Sequence, residues 1–312
     1  MRDLLEKVTA VVGEHVLCVD CLGRMFAGLS AKLTNRERGR ALLTTLSMGL
    51  SMDILDGKPY DERLLGRLVK CYGVEELRGI LLERGREVEV RSGEGARCEV
   101  CGGVFGEMGR HVERVVGEVD DYEFKTFLIG ISVPTRVEER EDEIRMKHQL
   151  KYAESIRSHL SREIGKLVKE RLRGKTFSLE PELTIHFNPF TQKLRVLPRK
   201  IKVVGQVTLS DPEGKVFAQL CDQCNGKGCS QCGDTGRMAG ESVEYILGKE
   251  VLREAGARKW RFGVKKLGNN KVAFTMSVLH PKRRKLETEE LKKQVKMKSR
   301  GLFDLEKITV SP

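Results

Sequence analysis

No run of ~18 consecutive apolar residues occurs in the 312-residue sequence, which argues against a membrane-spanning helix. The opening segment, MRDLLEKVTAVV, carries acids and lacks the apolar centre and small-residue cleavage site of a secretory leader. A soluble, cytoplasmic protein with reduced thiols is therefore expected, and in that setting paired cysteines point to metal ligands before disulfides. Acid is also missing locally. No aspartate occurs between Asp234 and Asp304, and no glutamate between Glu254 and Glu287.

That acid-poor stretch holds most of the charge imbalance. The formal net charge is +12, and residues 258–300 carry 15 Lys or Arg against 3 Glu, so the rest of the chain is neutral. A basic tail on a neutral body points to a polyanion, most often nucleic acid. The alternative is a solvated, disordered charged tail.

Hydrophobic periodicity divides the chain. Residues 1–115 read as mainly helical, and Thr34 with Glu37 forms a capping-box pattern that opens RERGRALLTTLSMGLSMDIL. Cys71, on an apolar helical face, is expected to be a small core residue. After Glu118, FKTFLIGISV reads as a buried strand ending at Pro134. A single long helix is expected from about Glu138 to Arg173, with Ile144, Tyr152, Ile156, Leu160, Ile164, Leu167 and Leu172 at near-helical spacing. ELTIHFNP and KLRVLPRKIKVVGQV read as two further strands, completing an α+β unit. ESVEYILGKEVLREAG reads as a helix, KVAFTMSVL as a strand and ETEELKKQVKMK as a charged helix. The expected fold class is α+β, divided at 1–115, 119–207 and 208–312.

Eight of nine cysteines form four Cys-x-x-Cys pairs, each presenting two thiolates from one tight loop. Cys18, Cys21, Cys98 and Cys101 form one set, with 76 residues between its halves; Zn²⁺ is the expected ion. Two separate redox turns are the alternative, although no thioredoxin-like context surrounds them. His15 and His111 are fallback ligands. Cys221, Cys224, Cys229 and Cys232 form a compact second set whose glycines, Gly226, Gly228 and Gly233, permit a zinc knuckle. A Gly-rich loop with partly free thiols is the alternative. The second set superficially resembles the repeats of Hsp40-type chaperones, but it occurs once and without a J-domain.

Three stretches in order resemble the THUMP-containing tRNA pseudouridine synthases of archaea and eukaryotes that act on T-loop uridines. CVDCLGRMFAGLS with CEVCGGVF resembles that family's N-terminal zinc module. FKTFLIGISVPTRVEEREDEI and KYAESIRSHLSREIGKLVKERL resemble its THUMP region. CDQCNGKGCSQCGDTGRMAGESVEYI is similar to the entry to its catalytic domain. The resemblance covers about residues 15–255 and implies binding of tRNA at the acceptor end and T-arm side. It also implies a catalytic Asp in a G-R-E-D-x-D-x-R-like motif after the second cysteine set, acting on a flipped-out nucleotide. Here that stretch reads EAGARKWRFGVKKLGNNK, without an acid beyond its first residue. Asp304 has too little chain after it to build that family's cleft, and Glu is a poor substitute because small misplacements cost orders of magnitude in rate.

The expected function is thus tRNA binding by a protein related to these synthases but unable to isomerise uridine by itself. The third part is read as a truncated remnant with a zinc knuckle and a basic tail. Phosphate contacts are assigned to Lys282, Arg283, Arg284, Lys285, Lys292, Lys293, Lys296 and Lys298, and on the long helix to Arg157, Arg162 and Lys166. Trp260 and Phe262 fit burial in the C-terminal core better than base stacking. Two alternatives remain: an active synthase, with a divergent Asp or a catalytic half on a partner chain, and a zinc-dependent protein-interaction module.

Overall fold

A computed structural model describes residues 2–30, 32–72, 74–83, 85, 97–268 and 270–311. The chain separates into two compact units, each assembled from three segments. One comprises Met1–Val115, Ile131–Val168 and Phe187–Lys193; the other comprises Val116–Gly130, Lys169–His186 and Leu194–Pro312.

The first unit is helical. It contains α1 (Arg2–Glu14), α2 (Val19–Met25), α3 (Asn35–Leu55), α4 (Glu62–Tyr72), α5 (Glu75–Glu83), most of α6 (Met108–Val119), α7 (Thr135–Lys147) and most of α8 (Ile156–Arg171). The capping box forms as expected: the Thr34 hydroxyl accepts from the Glu37 N–H, and the Glu37 carboxylate accepts from the Thr34 N–H. Helices α2 and α3 touch backbone to backbone. A Cβ on Gly23 would sit 1.7 Å from the Asn35 carbonyl oxygen, and one on Gly39 would sit 2.0 Å from that of Val19. Only glycine permits that approach.

The single helix expected over 138–173 is two helices. Gln149, at φ 51°, breaks the chain after α7, and Ser155 caps α8 by accepting the Ser158 N–H at 3.1 Å. Tyr152, read as an apolar-face residue, falls in the break and is 59% exposed. A buried ion pair supports the break. Glu141 on α7 pairs with the fully buried Arg24 and accepts the Ile156 N–H at 3.1 Å, satisfying one of the orphan donors that begin α8.

One four-stranded sheet runs β2–β1–β3–β4, formed by β1 (Thr126–Ile131), β2 (Thr176–Phe177), β3 (Leu183–Asn188) and β4 (Lys193–Pro198). A second, antiparallel sheet lies in the second unit and runs β6–β7–β5–β8, from β5 (Ile201–Leu209), β6 (Lys259–Gly268), β7 (Lys271–Leu279) and β8 (Phe303–Ser311). KLRVLPRKIKVVGQV, read as one strand, splits at Pro198, which lacks the N–H a continuous ladder needs. Its two halves join different sheets.

The basic stretch is not a tail. It folds as β6, β7 and α10 (Thr288–Ser299), and with α9 (Val243–Ala255) these bury one core. Val272, Phe274, Met276 and Val278 face inward at the period of two that a half-buried strand requires. Trp260 lies in this core as expected, 5% exposed, with Phe262 packed against its edge. Gly248 on α9 admits the indole: a Cβ there would lie 2.5 Å from the ring. Among the described residues, no helix is long and apolar enough to cross a membrane.

Candidate metal centres and basic surface

The first cysteine set converges. In the helical unit the sulfurs of Cys18, Cys21, Cys98 and Cys101 all lie within 4.8 Å of one another. Cys18 caps α2 and its sulfur accepts the Cys21 N–H at 3.4 Å. The second half is positioned by a reciprocal tie: the Glu99 N–H donates to the Val16 carbonyl at 2.9 Å, and the Val16 N–H donates to the Glu99 carboxylate at 2.9 Å. Cys18 and Cys101 have an Sγ–Sγ distance of 3.6 Å. That is far beyond a disulfide bond and close to the ~3.8 Å edge of a tetrahedron with a metal–sulfur bond of about 2.3 Å.

His15 and His111 are not part of this set. His111 is buried beside Phe187, with Nδ1 3.2 Å from Gln192 Nε2, and burial holds its pKa below the usual value. His15 faces Glu99 and His148. Four sulfurs already fill the tetrahedron, which leaves a fifth ligand no role. Cys71 departs from its expected place in the core. It is half-buried and lines a cleft of about 530 Å³ beside Cys18, Cys98 and Cys101.

The second set converges as well, within the second unit. Cys221–Cys229, Cys224–Cys232 and Cys229–Cys232 have Sγ–Sγ distances of 3.8, 3.9 and 3.8 Å. The loop achieves this through left-handed residues at Asn225, Gly226, Gly228 and Gly233, the last three being the glycines the sequence reading assigned to turning. Backbone N–H groups then point at sulfur: Gly228 at Cys224 (3.1 Å), Cys229 at Cys232 (3.3 Å) and Gly236 at Cys232 (3.2 Å). Burial pushes the Cys232 thiol up, but the Cys229 and Gly236 hydrogen bonds outweigh it and pull the pKa down to about 6. Both donor sets, four soft thiols at tetrahedral spacing, can hold a metal ion.

A residue with no motif to announce it anchors the second loop. Glu244, 1% exposed on α9, accepts from Arg237 Nε at 2.7 Å, Trp260 Nε1 at 3.2 Å and the Ala218 N–H at 2.9 Å. It ties both flanks of the cysteine loop to the sheet.

The basic candidates divide by what they already touch. Arg157 pairs with Glu138 at 2.9 Å, Arg162 with Glu154 and Glu163, Lys282 with Asp121 at 2.9 Å, and Lys292 with Glu289 at 2.8 Å. Arg284 is a packing residue, its side chain 8% exposed. It donates to the Arg199 carbonyl at 2.7 Å and lies 3.6 Å from Glu182. Glu123 fixes the backbone beside it, accepting the N–H groups of Arg284 and Lys285 at 2.7 and 2.9 Å. Lys166, Arg283, Lys285, Lys293, Lys296 and Lys298 are exposed and form no ion pair among the described residues.

Residues 111–188, from α6 through β3, match the family described as Pus10 THUMP domain, archaeal. Three similar proteins carry the name tRNA pseudouridine synthase Pus10. That of Methanothrix thermoacetophila is 26% identical over 97% of this chain and 66% of its own length. Those of Methanopyrus kandleri and Pyrococcus furiosus are 31% and 27% identical over 90% and 94% of this chain, and 63% and 62% of their own lengths. The chain therefore spans less than two thirds of each relative. It is an α+β protein with a Pus10-type THUMP domain, related along most of its length to the archaeal tRNA pseudouridine synthases named Pus10.

Proposed function

We propose that this chain is a cytoplasmic tRNA-binding protein that engages the acceptor end and T-arm side and does not isomerise uridine by itself. The observation that carries the binding reading is the THUMP match over residues 111–188. Lys166, Arg283, Lys285, Lys293, Lys296 and Lys298 support it, being exposed and in no close ion pair among the described residues. Arg284 leaves the proposed surface because its side chain is 8% exposed and packs beside Arg199 and Glu182. Lys282, Lys292, Arg157 and Arg162 stay as secondary contacts that must exchange an internal partner for phosphate.

Zn²⁺ is the proposed ion in both cysteine sets, because four thiolates at tetrahedral spacing suit it. With all four positions filled by protein, its contribution is to folding. The proposed division into three parts keeps the limit near 115 and moves the second to the turn after Pro198, where β4 and β5 part.

The catalytic reading rests on the acids. The stretch in which the related synthases are expected to hold their Asp forms the end of α9 and β6, and its inward-facing side chains, Ala255, Trp260, Phe262 and Val264, are apolar and belong to the core or pack against it. A second reading, that the chain works in an active synthase, is favoured by the names of the relatives. The catalytic Asp would then lie on a partner chain or on residues outside this sequence.

The test is fluorescence anisotropy with an unmodified tRNA transcript, followed by pseudouridine detection after incubation. Binding at 50 mM salt is expected, weakening by roughly 0.7–0.9 log units per decade of salt for each phosphate contacted. Lys293→Gln with Lys296→Gln should flatten that slope by about 1.5. Absence of affinity at low salt overturns the binding reading and leaves a zinc-dependent protein-interaction module. Turnover by the isolated chain overturns the non-catalytic one.

A further inference from the structure

A third cluster of ligand atoms lies outside both cysteine sets, within the helical unit. Glu14, His15 and His148 bring Oε2, Nε2 and Nε2 together: the two imidazole nitrogens are 3.1 Å apart, and Glu14 Oε2 is 3.9 Å from His15 and 3.6 Å from His148. In a tetrahedral site with metal–nitrogen bonds of 2.0–2.1 Å, ligand atoms stand roughly 3.3 Å apart, and the three distances bracket that value. Both imidazoles are buried, their side chains 9% and 6% exposed, and the rings meet edge to face at 89°.

Three features prepare the cluster for a cation. First, His15 Nδ1 lies 3.4 Å from the Glu99 carboxylate, which is itself held by the Val16 N–H and by Arg140 at 2.6 Å. A proton on Nδ1 satisfies that carboxylate and leaves the Nε2 lone pair facing the cluster, the arrangement of a carboxylate-oriented metal ligand. Second, Glu14 is the last residue of α1 and His148 the C-cap of α7, so the negative ends of two helix dipoles converge here. Third, the Nε2–Nε2 contact accommodates one proton between two lone pairs, and a metal ion can take the place of that proton. Opposing these, Lys147 Nζ occupies the outer side of Glu14 at 2.5 Å.

We infer that Glu14, His15 and His148 form a third metal site, which takes a divalent transition cation of the zinc or nickel class. Two imidazoles and one carboxylate select such ions over magnesium or calcium. Three protein ligands leave a fourth position for water, unlike the closed cysteine sets. The ion would clip the segment leading into Cys18 to the end of α7.

The test is calorimetric titration of Ni²⁺ into the untagged chain whose cysteine sets have first been loaded with zinc. One equivalent is expected to bind. His148→Gln should abolish it, Glu14→Gln should weaken it at least fivefold, and Lys147→Ala should tighten it several-fold by removing the competing cation. Nickel broadening of the His15 and His148 imidazole proton resonances supplies a second readout. The site is overturned if no heat appears, which leaves the pair sharing a proton. It is also overturned if His148→Gln, with both zincs retained, binds the same equivalent. If His148→Gln misfolds, the exposed-side-chain variants decide: unchanged affinity in both Glu14→Gln and Lys147→Ala sinks the proposal.

Discussion

Glu244→Gln removes one charge from the centre of the second unit while keeping the side chain's volume. In the native arrangement Oε1 accepts from Arg237 Nε and Trp260 Nε1, and Oε2 accepts from the Ala218 N–H. A glutamine can set its oxygen toward Arg237 and Trp260, but its NH₂ then meets the Ala218 N–H, donor against donor. Flipping the amide moves the conflict to the other side. Breaking a buried ion pair costs about 3–5 kcal/mol, and the 21% exposure of Arg237 lets its guanidinium regain some water, so about 2–3 kcal/mol is expected. At a urea dependence of about 2 kcal/mol per molar, the midpoint should fall by about 1 M. Trp260 is the only tryptophan and is 5% exposed, so its emission reports this unit alone. Glu241→Gln, an exposed neighbour, should shift the same transition by no more than about 0.5 kcal/mol. The second metal should also pass sooner to a chromogenic chelator in Glu244→Gln, because the carboxylate holds both flanks of its loop. A midpoint within about 0.2 M of the parent would refute the anchoring role.

Three further outcomes are expected. Gly23→Ala drives a Cβ into the Asn35 carbonyl, a backbone atom that cannot swing away, and should cost the helical unit about 3 kcal/mol in a circular-dichroism melt; a neutral result would mean α2 and α3 are not in backbone contact. His159 is held down at about 3 by burial, against 6.5 unfolded. Its contribution is therefore complete above about 6.5 and is lost as pH falls toward 3, at up to ~1.4 kcal/mol per pH unit. Between pH 7 and 5 the parent should lose about 2 kcal/mol more stability than His159→Phe, and equal losses would exclude the effect. Purified protein should carry zinc at both cysteine sets, and Cys18→Ser should lose one equivalent and destabilise the helical unit; metal-free protein of unchanged stability would contradict the folding role.

Local rules recovered a good deal of this molecule. The Thr34 capping box, β1, α9 and the convergence of both cysteine sets follow from neighbouring residues or fixed spacings, and so were legible. The break between α7 and α8 was not, because Glu141 and Arg24, which support it, are 117 residues apart in the sequence. Glu244 and the His15–His148 contact escaped for the same reason: each depends on residues that only the fold brings together. The basic stretch misled in another way. KVAFTMSVL and ETEELKKQVKMK were legible as the strand and helix that β7 and α10 are, but in β6 the charges alternate with Trp260, Phe262 and Val264, so counting Lys and Arg hid that strand. Deleting 258–300 would therefore remove β6, β7 and α10 and test folding rather than binding. Charge there must be changed one side chain at a time.

The pairing of β5 carries a consequence for synthesis. One edge of β5 is closed by β7, but the other waits for β8, in a register that joins Lys202 to Ser311 across about a hundred residues. At roughly 5–20 residues per second, a ribosome leaves that edge open for about 5–20 s. Ile201, Val203 and Val207 are in place throughout that interval, so the nascent chain displays an apolar strand with unpaired N–H and C=O groups, a template for association with other chains. Yield of folded protein should thus respond to elongation rate and to holding chaperones more than the stability of the finished sheet implies.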